Sequence, residues 1–152
     1  MSEQREIVFD ADHMIVGRLA AKVARAALMG DRVVVVNAEK AVITGDRRTV
    51  IEAYKEKRNI RTSYNPRKGP FHERRPDKMI RRVIRGMLPW PTPRGKEALK
   101  RVRVCIGIPA EHADKNRTVL EGARYDSLKG KFITVEDLSY ELGWRNRGAA
   151  KE

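Results

Sequence analysis

Lys78, Arg81, Arg82 and Arg85 stand three and four residues apart, a spacing that puts four cations on one face of a helix. Such a row is suited to holding anionic oxygens, because the planar fork of arginine matches phosphate two bonds at a time. The pattern extends on both sides. Arg47, Arg48, Arg58 and Arg61 precede it, Tyr64, Asn65, Arg67, Lys68, Phe71, His72, Arg74 and Arg75 lead into it, and Arg94, Lys96, Lys100 and Arg101 follow. From Lys55 to Arg103 there are seventeen bases, eleven of them Arg, against the four acids Glu56, Glu73, Asp77 and Glu97. The formal charge of this stretch, +13, equals the net charge of the whole 152-residue chain, and both flanks are neutral.

Cations concentrated on one surface repel each other and weaken the compact state unless a polyanion neutralises them. Nucleic acid is the candidate polyanion. The rings of Tyr64, Phe71, His72 and Trp90 among the cations favour RNA, whose loops and bulges offer unstacked bases. Charge runs are usually solvated faces, but a run that carries all of the net charge is poorly explained that way.

The elements that must position these residues follow from periodicity. Ile7 to Phe9 reads as a buried strand closed by Asp10 and Asp12. Leu19, Ala20, Val23, Ala24, Ala27 and Leu28 recur at helical spacing, with Arg18, Lys22 and Arg25 on another face and Gly30 as the stop. Val33 to Val36 has no polar alternation, as in a central strand covered on both faces. Strand, helix, strand implies a parallel α/β unit with a right-handed crossover. After Thr44, Gly45 and Asp46 a helix begins, with Val50, Ile51 and Tyr54 on its apolar side.

Six of the seven prolines lie in the cationic stretch, so residues 65–75 should form an irregular, fairly stiff loop. Pro76 opens the basic helix, whose opposite stripe is Met79, Ile80, Val83, Ile84, Met87 and Leu88. Residues 95–101 read as a short basic helix, and 102–108 alternate as a strand that Pro109 ends. Lys131 to Ile133 reads as extended, and Thr134 as the cap of a helix over 135–142 that Gly143 stops.

The composition excludes several classes. One cysteine, Cys105, rules out an internal disulfide and multi-cysteine zinc patterns, and agrees with a reducing compartment. Within its strand it reads as a small packed hydrophobe. No apolar run approaches the roughly 20 residues that span a bilayer, and the polar start carries no signal peptide. No phosphate loop, dinucleotide fingerprint or nucleophile elbow is present. His13 and His112 read as turn or surface residues, and His72 as an RNA contact. Two alternatives stay open on residues alone: a nucleotide or RNA-modifying site at Asn37, Glu39, Lys40 and Thr44, and nonspecific condensation of nucleic acid.

Residues 15–20 (IVGRLA), 34–45 (VVVNAEKAVITG), 65–72 (NPRKGPFH), 85–89 (RGMLP) and 94–96 (RGK) together resemble the universal large-subunit ribosomal protein L-thirteen family, in order and spacing. The resemblance covers about residues 7–143, and its KGPFH block and tail are similar to the archaeal and eukaryotic branch. It implies a three-layer α/β/α fold around a parallel four-stranded sheet. On this reading residues 1–152 form a single domain, 55–103 a basic loop-and-helix insertion, and 110–152 a C-terminal extension packed on the body. It implies a cytoplasmic, non-catalytic protein that binds large-subunit rRNA directly, early in assembly, beside other ribosomal proteins. No metal, cofactor, small-molecule substrate, membrane or homo-oligomer is expected. Residues 65–75, the face of Lys78, Arg81, Arg82 and Arg85, and residues 94–101 would be the RNA surface. Cys105 departs from the aromatic residue common in the family.

Overall fold

Four valines in a row need cover on both sides, and β2 (Arg32–Val36) obtains it as an inner strand whose Val33 to Val36 are all buried. A computed structural model of the chain describes residues 5–125 and 130–146, so the expected C-terminal extension lies partly outside the described residues. In sequence order β2 follows β1 (Glu6–Asp10) and α1 (Val16–Met29). Next come β3 (Val42–Thr44), α2 (Arg47–Asn59), α3 (Pro76–Met87), α4 (Pro93–Lys100) and β4 (Val102–Val104). β5 (Arg117–Thr118), β6 (Phe132–Thr134) and α5 (Val135–Glu141) complete it. The main sheet runs β4-β2-β1-β5 and is parallel throughout, with Val8 opposite Val34 and Val33 opposite Val102. This is the α/β class that the sequence implied.

Strand alternation divides the side chains between two faces. Phe9, Val33, Val35 and Val102 meet Leu19, Val23 and Ala27 of α1, Ile80 and Ile84 of α3, and Ala98 and Leu99 of α4 in the main core. The other face carries Val8, Val34 and Val36, with Cys105 packed against them. Its cover is thin: residues 110–117 cross it, tied down by Arg103–Glu111 (3.1 Å), Lys115–Glu6 and Arg117–Asp10 (3.5 Å). His112 closes the turn Ala110–His112, one of the two roles expected for it, but is buried at 3% exposure rather than on the surface, with Glu6 at 3.8 Å and Glu111 at 4.0 Å from its ring nitrogens.

A second, smaller core forms beside the first. β6 returns antiparallel to β3, and Ile51, Ile133, Leu138 and Leu142 pack around Met79 of α3. α3 therefore contributes to both cores. Met79, Ile80, Ile84 and Leu88 of the expected stripe are buried and Val83 is half-buried, whereas Met87 at the helix end is 43% exposed. Burying those four side chains is worth roughly 6 to 12 kcal/mol gross. The four like-charge pairs on the opposite face oppose it by only about 1 to 2 kcal/mol, so packing decides where the helix lies.

Two expected boundaries move for identifiable reasons. The strand expected over 102–108 ends at Val104 because the chain turns at Gly107, whose φ is +65°. The ladder continues irregularly, Cys105 N donating to the Val35 carbonyl at 2.8 Å and Asn37 N to the Gly107 carbonyl at 2.9 Å. The short basic helix starts two residues early, at Pro93, because Thr92 caps it by accepting from Gly95 N at 3.3 Å. The cap of α5 is the expected one, Thr134 Oγ1 accepting from Asp137 N at 3.2 Å. The fourth strand of the sheet, β5, was not foreseen.

Gly95 is required by close approach. A Cβ there would lie 2.1 Å from the Pro89 carbonyl oxygen and 2.9 Å from Trp90 N, both backbone atoms. Gly95→Ala should therefore destabilise by about 1 to 3 kcal/mol, although helix propensity alone would favour alanine by up to about 1 kcal/mol. Urea denaturation measures the sign. Stability should also fall in acid. The hydrogen bond from Lys115 holds the Glu6 carboxyl below its ordinary 4.5, and that from Lys131 holds Asp46 below 3.8. For acids depressed on folding, the stabilisation is present above those ordinary values and is lost as pH falls through the lower folded ones. Glu6→Gln should flatten this acid limb in thermal melts recorded across pH 2 to 6.

Candidate nucleic-acid interface

With its apolar stripe buried, α3 turns Lys78, Arg81, Arg82 and Arg85 outward, as its periodicity requires. They border a groove of about 430 Å³ that Glu73, Asp77, Trp90, Leu99 and Val104 complete. The four are not equivalent. Arg81 donates to the Leu99 carbonyl at 3.4 Å, and the Arg85 guanidinium lies over the Trp90 ring at 4.1 Å from its centre. Lys78 approaches Glu73 at 3.7 Å. Arg82 is exposed and has no carboxylate partner among the described residues. Two of the cations, Arg81 and Arg85, are thus oriented by neutral groups of the protein and keep their charge.

Arg82 also borders a second groove, of about 290 Å³, with Tyr54, Lys57, Arg58, His72 and Glu73. Arg58 donates to the Leu142 carbonyl at 2.9 Å, and its pKa is lowered first by burial and then by the charges of Arg74 and Arg61. Like charges crowding one guanidinium mark a region that awaits a counter-charge. His72 and Glu73 continue into a third groove of about 840 Å³, lined also by Arg74, Arg75, Ile106 and residues 143–146. Arg75 forms two bonds to Asp77, at 3.2 and 2.9 Å. The shared residues make the three grooves one basic track.

The loop before α3 is shaped by its own backbone. Asn65 Oδ1 accepts from Arg67 N at 3.1 Å, and Thr62 Oγ1 donates to the Asn65 carbonyl at 2.8 Å, closing a turn over Pro66–Lys68. Asn65 thus works as a turn former. Tyr64 and Phe71 are 96% and 71% exposed, so their rings are open for stacking. Arg61, Arg67, Lys68 and Arg74 are exposed around them.

The remaining expected residues lie off the track. Arg47 pairs with Asp137 (3.5 Å) and Glu141 (3.2 Å), joining α2 to α5, and Arg48 pairs with Glu52 at 2.8 Å. Arg101 donates to the Ala27 carbonyl at 3.3 Å and, with Lys100, Glu97 and Arg32, borders a separate groove. Arg94 and Lys96 are exposed on α4. Conversely, Lys57, Trp144 and Arg145 line the track without having been expected there. Lys57 belonged to the cationic stretch and could have been found by its charge, but Trp144 and Arg145 lie in the neutral flank.

The polar edge at Asn37 is spent on structure. Asn37, at φ +54° and 6% exposure, donates to Asp10 Oδ1 at 2.8 Å, and Glu39 Oε2 accepts from Gly107 N at 2.9 Å. Among the described residues no cluster of three or more His, Cys, Asp or Glu could hold a metal ion, and no helix is long and apolar enough to cross a membrane.

The profile of Ribosomal protein L13 matches residues 4–111. The chain belongs to the ribosomal protein L13 family. Among its relatives, the large ribosomal subunit protein uL13 of Pyrobaculum islandicum is 48% identical, with 96% of this chain and 80% of the relative covered. The uL13 of Methanocaldococcus jannaschii is 46% identical (90% and 96% covered), and that of Archaeoglobus fulgidus 43% (91% and 88%). As a member of the L13 family the chain is a structural ribosomal protein and not an enzyme. The relatives are archaeal, in keeping with the branch that the KGPFH block suggested.

Because Arg85 is placed by an aromatic ring, Arg85→Gln should cost about 0.5 to 1 kcal/mol even without RNA. Chemical denaturation checks this, and Arg82→Gln, with no such contact, should change stability by less than about 0.5 kcal/mol.

Proposed function

We propose that this chain is a structural constituent of the large ribosomal subunit, in the cytoplasm, and that it binds large-subunit rRNA directly through the basic track. One observation carries the reading: three adjoining grooves, all bordered by Glu73 and joined in turn through His72 and Arg82, collect cations that few carboxylates offset. Phosphates neutralise such a surface and give affinity, while the fixed outline of the loop and its exposed rings give selectivity. The neutral α/β body positions this surface and offers its other sides to neighbouring ribosomal proteins. Binding early in assembly fits a protein whose charge is needed where rRNA helices approach each other closely.

Two measurements test this. With about six to ten cations on phosphate, affinity for a large-subunit rRNA transcript should fall by roughly 10³ to 10⁵ between about 50 and 200 mM salt, by analogy with DNA. A slope near zero, or equal affinity for unrelated RNA of the same length, would overturn the reading. Arg67→Glu with Arg82→Glu removes two exposed cations that have no carboxylate partner among the described residues. The double variant should keep its circular dichroism and thermal midpoint while losing about a hundredfold or more in rRNA affinity.

A further inference from the structure

The largest groove of the track is built in part by residues from outside the cationic stretch, and its composition differs from that of its neighbours. Loop residues His72, Glu73, Arg74 and Arg75 form one wall, and Trp144 and Arg145 belong to the segment that follows α5. Resting on the reading of the chain as an RNA binder, we propose that this groove seats one unstacked nucleotide of the rRNA. Its base lies against Trp144, and its phosphate lies between Arg74 and Arg145.

Charge supports an anion. Arg75 is neutralised by Asp77, and Glu73 is drawn toward Lys78. Arg74 has no carboxylate partner among the described residues. Arg145 donates to the carbonyls of Tyr140 and Trp144 at 3.0 and 3.1 Å, bonds that place the guanidinium without cancelling its charge. The groove therefore keeps two cations unspent.

Its aromatic side is set in advance. Trp144 N donates to the Ser139 carbonyl at 2.9 Å, and the half-buried indole packs on Tyr140 at 5.5 Å between ring centres, tilted by 52°. A base stacking on a ring already fixed in this way forfeits little ordering entropy. Trp90, the other indole of the track, differs because Arg85 occupies its face. Gly143 keeps the two walls close: its φ is +96°, and a Cβ there would come within 3.3 Å of the Arg74 guanidinium. The volume, about 840 Å³, accommodates a nucleotide. Continuity through His72 and Glu73 with the adjoining basic groove lets one RNA strand run from the seat onto α3.

Ultraviolet crosslinking of the unaltered full chain to a large-subunit rRNA transcript, with adducts mapped by mass spectrometry, tests the seat. A nucleotide adduct on Trp144 is expected, since His72 also lines the adjoining groove and does not discriminate. Filter binding should show Trp144→Leu weakening affinity about tenfold or more with an unchanged salt slope, since stacking is insensitive to salt. Arg74→Gln should lower that slope by about one. Adducts confined to residues 58–101, together with wild-type affinity for Trp144→Leu, would overturn the nucleotide seat and leave the function standing. If Trp144→Leu misfolds by circular dichroism, the adduct positions on the unaltered chain decide. Failure of the unaltered chain to retain the transcript at low salt overturns both readings.

Discussion

The interaction on which the rest of the structure depends is the burial of one stripe of α3. Met79 enters the smaller core while Ile80, Ile84 and Leu88 enter the main one, so this helix joins the parallel sheet to the β3-β6 pair. Its opposite face is then committed to solvent, and with it Arg81, Arg82 and Arg85. Rotating the helix to relieve repulsion would expose apolar surface worth several times more. The charge pattern is thus stable because it is a by-product of packing.

Electrostatics then works within that frame. Carbonyl oxygens and one ring, rather than carboxylates, orient several of the cations on the track: Leu99 for Arg81, Leu142 for Arg58 and Trp90 for Arg85. A neutral acceptor fixes a guanidinium without cancelling it, whereas the carboxylates that line the track, Asp77 and Glu73, are few. An arrangement of this kind suits a preformed surface, because side chains already held in place lose less freedom on binding an anion.

Much of the fold was legible because its main elements carry strong periodic signals. The Val33 to Val36 run, the α1 stripe ending at Gly30, the proline that opens α3 and the Thr134 cap all read correctly. β5 was not legible because two residues, Arg117 and Thr118, carry no periodicity. The false length of the strand after Val102 has a different origin, since alternation persisted through a turn that only the φ of Gly107 reveals. At the surface, counting charge along the chain located the loop and α3. It could not separate Arg82, on the track, from Arg47, which bridges α2 and α5. Nor could it find Trp144 and Arg145, whose place in the groove depends on tertiary contact alone. The burial of His112 was hidden for a similar reason, since its neighbour Glu6 lies over a hundred residues away in the chain.

The order of the strands has a bearing on synthesis. α1, β2, α3 and β4 are contiguous neighbours that can come together once residue 104 has been made, whereas β1 waits for Arg117 and β3 waits for Phe132. A growing chain therefore presents its entire net charge of +13 while two strands still have an unpaired edge. Such edges invite association with other chains. On the proposed reading, rRNA and the late strands β5 and β6 would compete to be first, and vectorial translation favours whichever shields the half-built sheet sooner.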